Sequence, residues 1–152
     1  MKAKNSGFTL VEILIVVVIL GILAAIVIPQ FTEASTEAKT SSLCTDLQTI
    51  RSQIELYKIQ HNDVKPNMAV DATTGDNALT VCTLINGTVV ASGTPNSYGP
   101  YIQKIPTNQF TDSDAIVVGI ADEVPVTATG AWYFNTNTGA FHACDTADHA
   151  AL

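Results

Sequence analysis

From Ile13 to Ile28 the chain reads ILIVVVILGILAAIVI, sixteen residues without a charge or a strong hydrogen-bonding side chain. Phe8 to Val11 extend it past one acid, Glu12, so that Phe8 to Ile28 makes a stretch of 21 residues. At about 1.5 Å per residue this is about 31 Å of helix, matching a hydrocarbon core of about 30 Å. A buried core helix would pass the same length test. A chain of 152 residues, however, has little interior with which to surround a helix that is apolar on every face. The stretch therefore reads as a membrane span.

Its flanks give the orientation. Lys2 and Lys4 precede it, and Glu33 and Glu37 are the first charges after it. Positive charge stays on the cytoplasmic side, which leaves everything beyond about Pro29 outside the inner membrane. An ordinary secretory signal would be followed by a small-residue cleavage site. Ala24 and Ala25 lie inside the apolar stretch instead, no A-x-A motif follows, and the most distinctive residues come before it.

The remainder is one domain's worth of sequence. Overall 47% of residues are hydrophobic and only 14% charged, well below the roughly 25% charged usual for soluble domains. The apolar excess lies in the N-terminal segment, and the rest is rich in Thr and Asn. A net charge of -7 and a pI near 4.6 argue against a nucleic-acid tracker, which needs a basic face. Cys44, Cys82 and Cys144 show no CxxC or Cys/His ligand spacing, which removes zinc ribbons and thioredoxin-like motifs. In an oxidising compartment the odd count implies one disulfide and one thiol, with the pairing unreadable.

Beyond Pro29, Leu43, Leu47, Ile50, Ile54 and Tyr57 recur at spacings of four, three, four and three, one apolar stripe on an amphipathic helix. Arg51 and Glu55 stand at i,i+4, where they can pair weakly. The helix should end near His61-Asn62-Asp63, before Pro66; run without a break from Phe8 to Gln60 it would be about 80 Å long. Between Pro66 and Pro106 the sequence is turn-rich and reads as irregular, with one hairpin expected over Leu84 to Val90, its Asn86-Gly87 suiting a type I′ turn. Ala115 to Ile120, Ala131 to Asn135 and Ala140 to Ala143 read as strands. The fold class is α+β: a long N-terminal helix, membrane-spanning then amphipathic, packed on a small antiparallel sheet that covers the Leu43 to Tyr57 stripe. Trp132, Tyr133 and Phe134 are expected in the core, and Tyr98 and Tyr101 in core or loop packing, in preference to a ligand platform.

The residues before the span, Gly7-Phe8-Thr9-Leu10-Val11-Glu12, resemble the prepilin-type cleavage and methylation motif of type IV pilins and type II secretion pseudopilins. A short basic leader ends in Gly7, an aromatic follows, a glutamate comes four residues later, and an unbroken apolar helix runs to Pro29. A looser resemblance to major pseudopilins of the G type continues through LQTIRSQIELYKIQHN and GPYIQKIPTNQF to WYFNTNTGAF. The resemblance implies a pilin-like organisation: a leader over 1–7, a transmembrane and assembly helix over 8–30, an amphipathic half over 31–61 and a globular head over 62–152. It further implies that a prepilin peptidase cuts between Gly7 and Phe8 and N-methylates Phe8. The span is then retained, because anchor and assembly element are the same segment.

An acid in a spanning helix costs about 2.5 to 3.5 kcal/mol at mid-bilayer and less near the interface, so Glu12 is a functional candidate by default. The resemblance implies that it pairs with the Phe8 amino group of a neighbouring subunit. Such a pair adds little net stability but penalises misregister, since either charge left alone is expensive. The plainer alternative is that Glu12 snorkels to the headgroups. Gly21 and Pro29 weaken the helix locally, and the resemblance implies a zone that can extend on polymerisation.

No Gly-x-Ser-x-Gly elbow, P-loop, HExxH or dinucleotide fingerprint occurs. His142, Cys144, Asp145, Asp148 and His149 fit no familiar metal spacing and read as solvated residues of a C-terminal tail. Asp112, Asp114, Asp122 and Glu123 are the candidates for the calcium site that G-type pseudopilins carry, but the acidic loop of that family is not recognisable; calcium stays possible without being predicted, and no cofactor is expected. The expectation is a non-enzymatic subunit of a type II secretion pseudopilus, with a type IV pilin for adhesion, motility or DNA uptake as the alternative. Its expected partners are further copies of itself, the peptidase, an inner-membrane platform with its ATPase, and lipid before assembly. Nucleic acid is not among them.

Overall fold

The computed structural model describes residues 9–69, 76–121, 124–125 and 130–152. The chain divides into two compact units, Met1–Ala38 and Lys39–Leu152, and one helix, α1 (Leu10–Gln60), contributes to both. In the first unit every described residue is exposed, as expected for a helix with nothing of its own chain around it. Pro29 lies within α1; its missing N–H leaves the carbonyl one turn earlier without a helical donor. Thr32 and Thr36 turn their hydroxyls back onto the carbonyls of Ile28 and Thr32 at 3.2 and 3.0 Å.

In the second unit the five stripe residues of α1, Leu43, Leu47, Ile50, Ile54 and Tyr57, are the buried ones. They pack with Met68, Leu79, Trp132, Phe134 and Phe141 in a single core. Fully burying each Leu or Ile contributes about 1.5–3 kcal/mol, so this stripe is what holds helix and sheets together. The helix stops where the sequence places its stop. Asn62 and Asp63 take positive φ of 52° and 64°, and the Asp63 N–H returns to the Lys58 carbonyl at 2.9 Å, a Schellman closure with Asn in the left-handed position. Glu55 pairs with Lys58 at 2.9 Å rather than with Arg51. Arg51 donates to Phe141 O and Leu152 O, both at 2.9 Å, which ties α1 to the C-terminal residues.

Among the described residues the head carries two three-stranded sheets rather than one. The first is built of β1 (Cys82–Leu84), β2 (Val89–Val90) and β3 (Ser97–Tyr98), with β1 central and both pairings antiparallel. The expected hairpin is β1–β2, but its turn differs. Gly87 alone has positive φ, 81°, and its N–H reaches Leu84 O at 2.7 Å while Leu84 N reaches Thr88 O at 2.9 Å. This is a three-residue loop closed by a left-handed glycine rather than a two-residue type I′ turn. β3 lies in the segment expected to be irregular.

The second sheet has order β4-β5-β6, from β4 (Ile116–Gly119), β5 (Trp132–Asn135) and β6 (Phe141–Ala143). β5 and β6 are antiparallel, but β4 runs parallel to β5, a departure from the all-antiparallel expectation. The connection from Ile120 to Ala131 supplies about the dozen residues a parallel crossover needs. Trp132, Tyr133 and Phe134 are buried as expected, and Trp132 stacks on Phe141 with centroids 5.5 Å apart. Gly119 makes room for Tyr133: a Cβ there would stand 2.9 Å from its hydroxyl.

The C-terminal residues correct one expectation. They form no solvated tail: α2 (Ala147–Ala150) is capped by the Thr146 hydroxyl, and His149 Nδ1 donates to Asp145 Oδ2 at 2.6 Å with the Asp145 side chain only 4% exposed. Asn108 Nδ2 donates to the other Asp145 oxygen at 3.1 Å. Cys44, Cys82 and Cys144 are thiols, Cys44 half-buried and Cys82 and Cys144 buried.

Candidate functional site

Of the three residues singled out in the sequence, Gly7 and Phe8 lie outside the described residues. Glu12 is described, exposed, at the third position of α1. Thr9 precedes the helix as its N-cap: its hydroxyl accepts the Glu12 backbone N–H at 3.3 Å, and its carbonyl accepts the Ile13 N–H at 3.3 Å. A Thr at the cap with an acid three residues on is the arrangement of a capping box. A carboxylate at this end also faces the positive pole of the helix dipole. Sequence reading picked out Glu12 for its charge and passed over Thr9, although the Thr-x-x-Glu spacing was the signal.

Beyond Glu12 the helix offers hydrocarbon in every direction. Ile13 to Ile28 leave their large side chains exposed all round the axis, and this helix alone among the described residues is long and apolar enough to cross a membrane. Chemically, such a surface can dissolve in lipid or pack against like helices. It cannot stay in water as an isolated particle.

Among the described residues no group of three or more His, Cys, Asp or Glu is placed to hold a metal ion. Asp112 is exposed, Asp114 is paired with Lys104 at 3.1 Å, and Asp122 and Glu123 lie outside the described residues. The one buried histidine cluster is structural. His61, fully buried, donates from Nδ1 to the Tyr57 carbonyl at 2.8 Å and accepts the Thr83 hydroxyl at Nε2 at 2.9 Å, a tautomer dictated by the acceptor-only carbonyl. Tyr57 stacks flat on its ring at 3.8 Å. Tyr101 donates to Gln60 Oε1 at 2.6 Å. Burial, reinforced by the neighbouring Tyr57, Tyr98 and Cys82, pushes its phenol up to about 12.

Residues 2–28 match the family described as the prokaryotic N-terminal methylation motif. The chain is 43% identical over 60 residues to the type II secretion system core protein G of Pseudomonas aeruginosa, covering 40% of this chain and 42% of that protein. To the type II secretion system core protein G of Aeromonas hydrophila it is 32% identical over 112 residues, 72% of this chain and 70% of that protein. The chain belongs to the type II secretion system core protein G family. The Aeromonas alignment carries membership past the N-terminal helix into the head, whereas the Pseudomonas alignment spans less than half of its relative. A fimbrial protein of Pseudomonas aeruginosa is 32% identical over 87 residues, 57% of this chain and 56% of that protein. No solved structure matches the chain.

Proposed function

We propose that the chain is the major structural subunit of a type II secretion pseudopilus, an inner-membrane protein with its N-terminus cytoplasmic and its head periplasmic until it polymerises. A prepilin peptidase removes Met1 to Gly7 and methylates Phe8. An inner-membrane platform and its ATPase draw the processed subunit from the bilayer, and its apolar helix exchanges lipid for the helices of sister subunits. Glu12 pairs with the Phe8 ammonium of a neighbour and sets the stacking register. The subunit catalyses nothing and works without a cofactor.

The observation that supports this most is the pairing of a helix exposed and apolar on every side with a single acid in its first turn. Lipid alone would not favour that acid, but a stack of helices gives it a partner. Family membership with core protein G supports the secretion system over other machines that use such helices. The fimbrial relative favours a second reading, a surface pilin. The test is intact mass measurement of the native protein with electron microscopy of its host. Loss of seven residues, one added methyl group and fibres confined to the periplasm are expected. A retained leader, or long surface fibres at native expression, would contradict the secretion reading.

A further inference from the structure

We infer that Tyr57 is a redox-active tyrosine: a one-electron oxidant at the head surface takes an electron from its phenol, and the phenolic proton passes through the Thr83 hydroxyl toward Nε2 of His61. The inference stands apart from the filament reading. It rests on the direction of the hydrogen bonds that, besides holding the end of α1 to β1, form a path for a proton. Nδ1 of His61 meets the Tyr57 carbonyl at 2.8 Å, an oxygen that only accepts, so Nδ1 carries the proton and Nε2 has a free lone pair. The Thr83 hydroxyl, 2.9 Å from Nε2, therefore donates to it. With that proton engaged, Thr83 meets the Tyr57 side chain only as an acceptor, and the phenol is the donor. The path runs one way, from Tyr57 to Thr83 to His61, and each of the three residues is at most 1% exposed.

What sets Tyr57 apart is where its path ends. Removing an electron from a phenol makes its O–H strongly acidic, so oxidation is easy only where a base takes the proton at the same time. Tyr101 donates to Gln60 Oε1 at 2.6 Å and Tyr133 to Ala121 O at 2.9 Å; amide oxygens accept a hydrogen bond but not a proton at neutral pH. An imidazole nitrogen accepts both. The step balances within the head. The oxidant gains one electron, and the Tyr57 O–H bond breaks to leave a neutral phenoxyl radical. The Thr83 proton forms an N–H bond at His61, and the Tyr57 proton replaces it on Thr83. Afterwards Nε2–H donates to Thr83 and Thr83 to the phenoxyl oxygen, while Nδ1 keeps its carbonyl. No buried polar group of the path loses its partner in either state. The half-buried Tyr101 ring lies 5.4 Å from that of Tyr57 and gives the electron an aromatic way out. The oxidants that fit are small one-electron acceptors reaching Tyr101 from solvent, oxygen-centred radicals above all. Return of an electron reverses both proton transfers, so the head acts as a rechargeable sink for single oxidising equivalents.

The experiment oxidises the full chain in detergent with flash-generated tris(bipyridine)ruthenium(III) and follows the tyrosyl radical by transient absorbance and electron paramagnetic resonance. Wild type is compared with Tyr57→Phe, Thr83→Val and Thr83→Ser, in water and in heavy water. Wild type should form a radical more slowly in heavy water, because proton and electron leave together. Tyr57→Phe should lose that radical. Thr83→Val should form it at least about 100-fold more slowly, the scale of one positioned base, and Thr83→Ser, which keeps the relay, should restore the rate. Circular dichroism checks that each variant is folded; should Thr83→Val not be, Tyr57→Phe and the wild-type isotope effect decide. An unchanged radical in Tyr57→Phe, an unchanged rate in folded Thr83→Val, or a wild-type rate indifferent to heavy water would overturn the inference.

Discussion

At the scale of single residues, the head is specified by polar groups that sequence periodicity does not reveal. His61 and Thr83 are buried and satisfy each other, and the Thr83 hydroxyl also bonds the Tyr57 side chain. Thr83→Val keeps the volume but leaves Nε2 of His61 buried without a donor, which costs about 1–3 kcal/mol; urea unfolding of the full chain in detergent should show that loss, and an unchanged midpoint would contradict the network. Tyr101 gives a pH test. Its phenol ionises near 12 in the folded protein against 10.0 unfolded, so above about pH 10 the unfolded chain releases a proton that the folded one keeps. Stability is therefore unaffected by this group below pH 10 and falls as pH rises toward 12. Absorbance titration should show a tyrosine step near 12 that Tyr101→Phe removes.

At the scale of elements, what could be read in advance was periodic and what could not was a matter of partners. The stripe from Leu43 to Tyr57 repeats with helical spacing, and all five residues are buried. Ile54→Ala should cost the head about 2–5 kcal/mol through lost burial and the cavity left behind, read as a lower thermal midpoint of the head with α1 still helical by circular dichroism. The strands β4, β5 and β6 were legible from their apolar runs, but the parallel sense of β4 was not, because a run of Ile, Val and Gly says nothing about which neighbour it lies beside. The Asn86-Gly87 pair signalled a turn without its type: Gly87 takes the left-handed position while Asn86 does not. The four-residue α2 was invisible because it carries no periodic signal. It is held by Thr146, by the Asp145–His149 hydrogen bond and by the His142 ring donating to Ala150 O at 3.0 Å.

At the scale of the whole molecule, two demands are met by different parts of one chain. Lys39–Leu152 is an ordinary folded unit whose apolar stripe is covered and whose cations are engaged: Lys58 and Lys104 on carboxylates, Arg51 and Lys65 on carbonyls, Lys39 over the Phe110 ring at 5.9 Å. In Met1–Ala38 the described helix buries nothing, and an apolar surface of that extent is unfavourable in water. The motif was legible in the sequence, because an acid in an apolar run stands out, and residues 2–28 match the methylation-motif family; the cap at Thr9 was not, because Thr is unremarked beside a charge. The central claim is that the helix leaves lipid for copies of itself in a register set by the Glu12 charge. Glu12→Gln tests it most directly, since Gln preserves the capping geometry and removes only the charge. Measured in the native host as the yield of sheared fibres, the account predicts a subunit that is cleaved and inserted at wild-type levels with fibres reduced at least about tenfold, whereas wild-type fibre yield from Glu12→Gln would contradict it.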